Sequence, residues 1–483
     1  MTQRNSRPHS GSAGKTGPTS QAKGTPKAKG PSKSSRGAQS SRGAGSSRAK
    51  QSAQPADARA SALAALDEVL QKGRPLEEAL AGQPGYRTLA VRDRAFARRL
   101  LAGTLRHLGQ IDDLLSRLLE RPLGVRNRRA TNILRLGVCQ LAFLETPAHA
   151  AVSTALSLAE HPHSRSLKGL VNAVLRRLDR EKDSLLAEQD AARLNLPAWL
   201  WDRLEAAYGE ADLRASLAVQ LQEPPLDLTV REPREEDELA RSLEAQVLPV
   251  GGLRLPSGRG EVTALSGYAE GRWWVQDAAA ALPARLAGEV KGRRVYDLCA
   301  APGGKTCQLA AGGGEVTAVD LSGPRLKRLQ ENLVRLGLRA EVVTADVATW
   351  EPAEAADVVL LDAPCSSTGT LRRHPDVAWL KREEDIPGLC ALQDRLLAAA
   401  AKLVAPGGLL IYAICSLLPE EGPERIAAFL QEHGEFTRVP VTAAEVGDRP
   451  ELLTQAGELR SLPCHLAELG GLDGFYACRL RRS

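Results

Sequence analysis

Two cysteines stand at similar places in two short motifs: Cys365 in DAPCSSTG, residues 362–369, and Cys415 in AICSLLPEE, residues 413–421. Each follows an apolar run, ADVVLL and GGLLIY, of buried-strand length. Free cysteine is usually buried and inert, but open α/β sheets bind ligands outside the carboxyl ends of their strands. A thiolate placed there is a nucleophile. A third such end, DLCAAPGGKT at 297–306, finishes in a glycine turn. It is not a phosphate-binding loop, because the glycine required five positions before Gly304 is Cys299. Nor does it read G-x-G-x-x-G. What is left is a turn that lets a ligand approach the backbone. Asp320 follows at the end of the next strand, placed for ribose hydroxyls, and Asp346 at the end of the third, within reach of an adenine amino group. Any one acid alone reads as a strand-end residue. Asp320, Asp346 and Asp362, in order on successive strands, point to a nucleoside cofactor without a pyrophosphate, for which S-adenosylmethionine is the natural candidate.

The elements that must position these residues are legible from residue 291 onward. RVYDLCAAP, GEVTAVDLS, AEVVTAD, DVVLLDAPC and GLLIYAICS are apolar runs, and SGPRLKRLQENLVRLG and LCALQDRLLAAAAKLV are amphipathic helices between them. Apolar strands alternating with crossover helices predict a parallel, doubly wound α/β sheet over 291–483. Residues 181–290 read as a linker and a small α+β subdomain, with PPLDLTVRE, EEDELARSLEA and GGLRLP as strand, helix and strand. Trp273 and Trp274 beside an apolar helix read as packing rather than as a base-stacking pair. From 57 to 180 the pattern is all-helical, with segments near 59–72, 91–119, 128–144 and 150–161. In LKGLVNAVLRRL, Leu167, Leu170, Val171, Val174, Leu175 and Leu178 follow the spacing of one helix face. The arginines of VRDRAFARR and VRNRRATNILR either meet RNA phosphates or form solvated faces.

Composition bounds the classes. A chain of 483 residues with 43% hydrophobic content can hold two or three domains with real cores. Eight cysteines without leader peptide or disulfide-dense spacing indicate a reducing cytoplasm. No apolar run reaches the roughly 18 residues of a membrane span. Eleven of the 64 basic residues and none of the 58 acidic ones lie in 1–56, so the rest of the chain carries 53 basic against 58 acidic residues. That Ser-, Gly- and Pro-rich basic tail is predicted to be disordered, either a polyanion tether or a solubilising tail.

The helical segments DRAFARRLLAGTLRHLGQIDDLL, ILRLGVCQLAFL and LKGLVNAVLRRL resemble the NusB family of RNA-binding antitermination factors. DLCAAPGGKT, DAPCSSTGTLRRHPDVAW and YAICSLLPEE, in that order, resemble the RNA cytosine-5 methyltransferases. With the helical part in front, residues 57–483 resemble the bacterial 16S rRNA cytosine-5 methyltransferases, whose catalytic domain is Rossmann-like. The resemblance implies cofactor contacts from Cys299, Ala300, Ala301, Pro302, Gly303, Gly304, Lys305, Asp320, Asp346 and Asp362. It makes Cys415 the nucleophile and Cys365 its assistant. Asp362 is also placed for the polar edge of the base, and Lys305 either for the cytosine carbonyl or for the methionine end of the cofactor. Cys139, Cys307, Cys390, Cys464 and Cys478 are expected to be inert.

The chain also departs from that family. Ile414 stands where a threonine usually precedes the nucleophile, and Gly422 where an asparagine usually follows Pro-Glu-Glu, while His465 and Asp473 match its carboxyl-terminal motif. The expected substrate is single-stranded or easily opened RNA, with Arg372, Arg373 and Lys381 offered to its backbone. A monomer without metal or membrane association is expected. The alternatives are a catalytically weak RNA-binding assembly factor and a cytosine-5 methyltransferase acting on tRNA or DNA.

Overall fold

The computed structural model describes residues 57–258 and 260–483; the basic tail lies outside the described residues. The first helix, Ala58–Lys72, starts where the Asp57 side chain accepts a hydrogen bond from Arg59 N (3.0 Å) and stops at Gly73, whose φ of 66° suits a residue without Cβ. It is followed by helices Leu76–Ala81, Val91–Arg106, Leu108–Leu118, Arg128–Ala142, Ala148–Leu158 and Lys168–Ala187. Their apolar faces meet in one core that includes Leu63, Leu66, Leu100, Leu101, Ile111, Ile133, Val171 and Leu175.

Two expectations need correction here. The single run at 91–119 is two helices, broken at His107, and the second crosses the chain at Leu194 so closely that a Cβ on Gly109 would lie 1.7 Å from the Leu194 carbonyl oxygen. Leu170 is exposed, while Val171, Val174, Leu175 and Leu178 are buried. Leu167 is half-buried, so the buried stripe starts at Val171, four residues later than the spacing suggested.

Residues read as a linker carry a long helix, Ala198–Gln220, with non-helical backbone at Gly209. Its Leu200, Trp201, Leu204 and Leu217 pack with Leu371, Ala378, Leu417 and Leu418, residues that follow the two cysteines in sequence. The subdomain after it is a small antiparallel sheet of β1 (Leu226–Val230), β2 (Gln246–Val247), β3 (Leu253–Leu255) and β4 (Trp273–Val275), in the order β2-β3-β1-β4. Trp273 and Trp274 are both buried, so they are packing residues.

The large sheet contains β5 (Arg294–Leu298), β6 (Glu315–Asp320), β7 (Glu341–Thr344), β8 (Ala356–Asp362), β9 (Val404–Ile414), β10 (Phe436–Arg438), β11 (Leu459–Ser461) and β12 (Phe475–Arg482). Its order is β7-β6-β5-β8-β9-β12-β10, with β11 paired to β12. Strands β5 to β9 are parallel, as expected for a doubly wound sheet, whereas β12 is antiparallel to β9, β10 and β11. Alternate residues of each strand enter opposite layers. Val358, Leu360, Ile411 and Ala413 lie in one, and Val359, Leu361, Tyr412 and Ile414 in the other. The chain leaves β5 toward β6 and β7 and returns to β8 on the other side. The strand order reverses between β5 and β8, which opens a crevice at their carboxyl ends.

Candidate active site

The crevice is lined by the turns after β5, β6, β8 and β9. After β5 the chain turns at Cys299, which holds a left-handed φ of 59°, and passes Ala300, Ala301 and Pro302 to Gly303, the residue before helix Gly304–Ala311. Gly303 is required there, because its φ is 103° and a Cβ would come within 2.5 Å of the Leu329 side chain. Cys299 contributes backbone rather than a reactive thiol, since burial, with Asp362 and Asp320 adding, pushes its pKa up to about 12. Asp320 is buried at the end of β6, accepting from Ala301 N at 3.1 Å and Ser322 N at 2.8 Å. Its carboxylate thus fastens the glycine turn to the next strand. Beside it Leu321 is 73% exposed, an apolar surface at the crevice edge. Asp346 is exposed beyond β7 and accepts from Ala348 N.

On the other wall, Lys305 Nζ donates to Asp362 Oδ2 at 2.7 Å and lies 5.1 Å from the Phe475 ring centroid. Burial alone would lower the Lys305 pKa, but the Asp362 carboxylate outweighs it and the ammonium is held charged. Asp297 was not singled out from sequence, although it opens the same motif. It is fully buried, accepts from Thr306 Oγ1 at 2.5 Å, and burial raises its pKa to about 7. Among the described residues its Oδ1 has no hydrogen-bond partner. An open turn, an exposed apolar side chain and an unsatisfied buried carboxylate oxygen suit a nucleoside cofactor that carries an amino group.

The two thiols meet. Asp362 of β8 pairs with Ala413 of β9, so the turns that follow converge, and Cys365 Sγ lies 3.5 Å from Cys415 Sγ. Cys415 also lies 3.5 Å from Ser367 Oγ. The hydrogen bond from Cys365 lowers the Cys415 pKa below the ordinary thiol value, against burial and the Asp362 charge and with help from Ser367 and Lys305. The same bond, with burial and the Glu421 charge, raises Cys365 well above it. One thiol is poised to ionise and the other to keep its proton. Among the remaining cysteines, burial pushes Cys139 and Cys307 up to about 12 and also raises Cys390, Cys464 and Cys478.

The departures at 414 and 422 leave the thiols alone. Ile414 is fully buried in the layer opposite Cys415, and a Cβ at Gly422 would meet Arg460 and Tyr476.

Arg372 and Arg373 do not face a backbone ligand. Arg372 is fully buried, bonding Asp473 at 2.6 Å, Asp277, and the Gly470 carbonyl. Arg373 pairs with Asp277 at 2.6 Å and lies 3.4 Å from Asp227 and from Asp473, while Arg254 bonds Asp227 twice at 2.7 Å. Three arginines and three aspartates thus form a balanced buried cluster that anchors the turn after Cys365. The Arg372 and Arg373 charges outweigh burial and hold the Asp277 carboxyl well below the usual range. Lys381 remains partly exposed at the end of the short helix Val377–Leu380. His465 Nδ1 accepts from Leu462 N, so it shapes a turn.

The helical region touches the same segment. Arg106 Nη2 donates to the Arg372 carbonyl at 2.7 Å, Trp379 Nε1 to the Leu105 carbonyl at 2.7 Å, and Leu76 N to Asp376 Oδ2 at 2.9 Å.

Residues 286–481 match the family described as 16S rRNA methyltransferase RsmB/F, and residues 56–180 match the NusB family. Ribosomal RNA small subunit methyltransferase B of Klebsiella pneumoniae subsp. pneumoniae is 39% identical over 387 residues, 77% of this chain and 89% of that protein. The protein of the same name from Erwinia tasmaniensis is 37% identical over 438 residues, 87% and 98% of the two chains. The fold matches the crystal structure of PH0851 with a TM-score of 0.69 and 23% identity, covering 87% of this chain and 98% of that one. It matches NSun6 from Pyrococcus horikoshii, solved with SFG, at 0.50 and 18%, covering 59% and 98%. With a NusB region in front of a Rossmann-like sheet and named relatives aligned along most of its length, the chain belongs to the 16S rRNA methyltransferase RsmB/F family and is an S-adenosylmethionine-dependent rRNA methyltransferase.

Proposed function

We propose that the chain methylates C5 of a cytosine in 16S rRNA through a covalent bond between Cys415 and C6 of the base. The observation that carries this reading is the thiol pair 3.5 Å apart, in which Cys415 is driven toward the thiolate and Cys365 toward the thiol. S-adenosylmethionine, when bound, supplies an electrophilic methyl group. In this reading the turn Cys299–Lys305 holds it, Asp320 takes the ribose hydroxyls, Asp346 serves the adenine amino group and Asp297 the amino group of the methionine end. C5 of cytosine is too weak a nucleophile on its own. Cys415 adds its electron pair to C6, and the ring electrons move to make C5 nucleophilic. Lys305 and Asp362 hold the polar edge of the base while this happens. After C5 is methylated its proton leaves by way of Cys365, directly or through water, and passes to solvent. The C5–C6 double bond then re-forms and the S–C6 pair returns to Cys415.

A base inside a duplex cannot reach the two thiols, so the target is single-stranded or easily opened RNA. Residues 57–180 form the RNA-facing helical domain, with Arg92, Arg126 and Arg128 exposed, 181–290 join it to the catalytic part, and 291–483 carry the chemistry. A 16S rRNA substrate places the reaction in the cytoplasm.

Denaturing electrophoresis with RNA and S-adenosylmethionine tests the assignment. Cys415→Ala is expected to abolish methylation and leave no adduct. Cys365→Ala is expected to methylate, then fail to release, giving a slow protein–RNA band. The opposite pattern would exchange the two roles, and methylation surviving both substitutions would exclude thiol addition.

A further inference from the structure

One carboxylate lies fully buried beside the two thiols without touching either. Glu421 sits in the 3₁₀ turn Pro419–Glu421, just after Cys415, and has no solvent exposure. Its Oε1 accepts from Ser366 N at 2.8 Å and from Gln393 Nε2 at 2.9 Å. Its Oε2 accepts from Ser416 Oγ at 2.5 Å and from the Ser366 hydroxyl. Ser366 follows Cys365 and Ser416 follows Cys415, so a single carboxylate grips the residue after each thiol. Gln393 donates from the same amide nitrogen to the Pro364 carbonyl at 2.9 Å, which brackets Cys365 from its other side. Thr368 Oγ1 accepts from Leu417 N at 2.9 Å and lies 3.2 Å from Ser416 Oγ, a second tie between the two turns.

A buried carboxylate is costly unless donors surround it, and packing alone could join two turns with apolar groups. Here four donors from three segments converge on it. The bonds fix how far the two turns stand apart, which no contact between the thiols themselves could do. The negative charge also adds to the influences that keep the proton on Cys365.

We propose that Glu421 is a positioning residue for methyl transfer: it ties the turn of Cys365 to the turn of Cys415, so that one thiol donates toward the other across a fixed gap. The proposal rests on the reading of Cys415 as nucleophile. Its test uses the full chain: alkylation of Cys415 by iodoacetamide is followed against pH without RNA through peptide masses, single-turnover methylation is then measured with RNA added, and calorimetric S-adenosylmethionine binding checks the fold. In the unaltered chain Cys415 is expected to be labelled at lower pH than Cys365. Glu421→Ala is expected to move the Cys415 midpoint up by about one pH unit and to slow single-turnover methylation about tenfold, with cofactor affinity within about twofold. Glu421→Gln is expected to restore most of the labelling profile, because the amide can accept from Ser366 N and Gln393 while both hydroxyls rotate to accept from it.

If the alanine variant does not fold, Ser366→Ala, which removes one tie, is expected to shift the midpoint in the same direction by less. An unchanged Cys415 profile in folded Glu421→Ala, or in Ser366→Ala when that variant decides, would overturn the role given to Glu421. Methylation surviving in Cys415→Ala would instead overturn the reading of Cys415 as nucleophile, whatever Glu421 does.

Discussion

Two side chains of one kind differ here because their neighbours differ: Cys415 has Ser367 and Lys305 on its side, and Cys365 has the buried Glu421 charge. Asp320 shows a second way in which neighbours fix a side chain. Its carboxylate already accepts from Ala301 N and Ser322 N, so it arrives at the crevice oriented. Asp320→Ala is expected to weaken S-adenosylmethionine binding by about 1.5–3 kcal/mol, measured by calorimetry on a folded variant; unchanged affinity would remove it from the site. That the thiols, the glycine turn and Asp320 stand at strand ends was legible in sequence, because each follows a contiguous apolar run. Arg372 and Arg373 were misread for the opposite reason, since their counterions Asp277 and Asp227 lie about a hundred residues or more away and a run of charge does not reveal its partners. In sequence Glu421 is only the end of Pro-Glu-Glu, and nothing local shows that it reaches Ser366, 55 residues back.

At the scale of elements, the site depends on how closely two turns can approach. Gly369, four residues after Cys365, accepts from Gly474 N at 2.8 Å through its carbonyl and donates to the Cys415 carbonyl at 3.0 Å. A Cβ on Gly369 would lie 2.0 Å from the Gly474 carbonyl oxygen. Gly369→Ala is therefore expected to cost about 1–3 kcal/mol of stability, seen as a lower midpoint in urea, and to part the two cysteine turns even at temperatures where the chain stays folded. Strand alternation puts Ile414 and Cys415 on opposite faces: Ile414 enters one apolar layer while Cys415 packs against the other. The strands and the two main crossover helices could be read from hydrophobic runs and periodicity. The antiparallel β12 could not, because FYACRLRR carries no signal of direction and its pairing with β9 spans 62 residues or more.

At the scale of the whole molecule, the segment after Cys365 belongs to two regions at once. Its arginines enter the charge cluster with the small sheet and the carboxyl-terminal segment, while Asp376 and Trp379 reach the helical region. Asp376 supplies from a distance the acceptor that the start of helix Leu76–Ala81 lacks locally. Asp376→Ala is expected to cost about 1 kcal/mol, and hydrogen exchange should show the loss at Leu76 as well as in 371–380; loss confined to one side would contradict a shared element. These three ties join residues 266, 274 and 300 positions apart, and they carry a consequence in time. Synthesis delivers the helices first, so the surface that receives this segment can be complete before the segment exists. A chain diluted out of denaturant has no such schedule and must close those long loops while every other contact competes for the same groups. The turn after Cys365 is thus offered one partner surface, the helical one, that is already folded when it emerges, while Cys415, Glu421 and Asp473 reach it later.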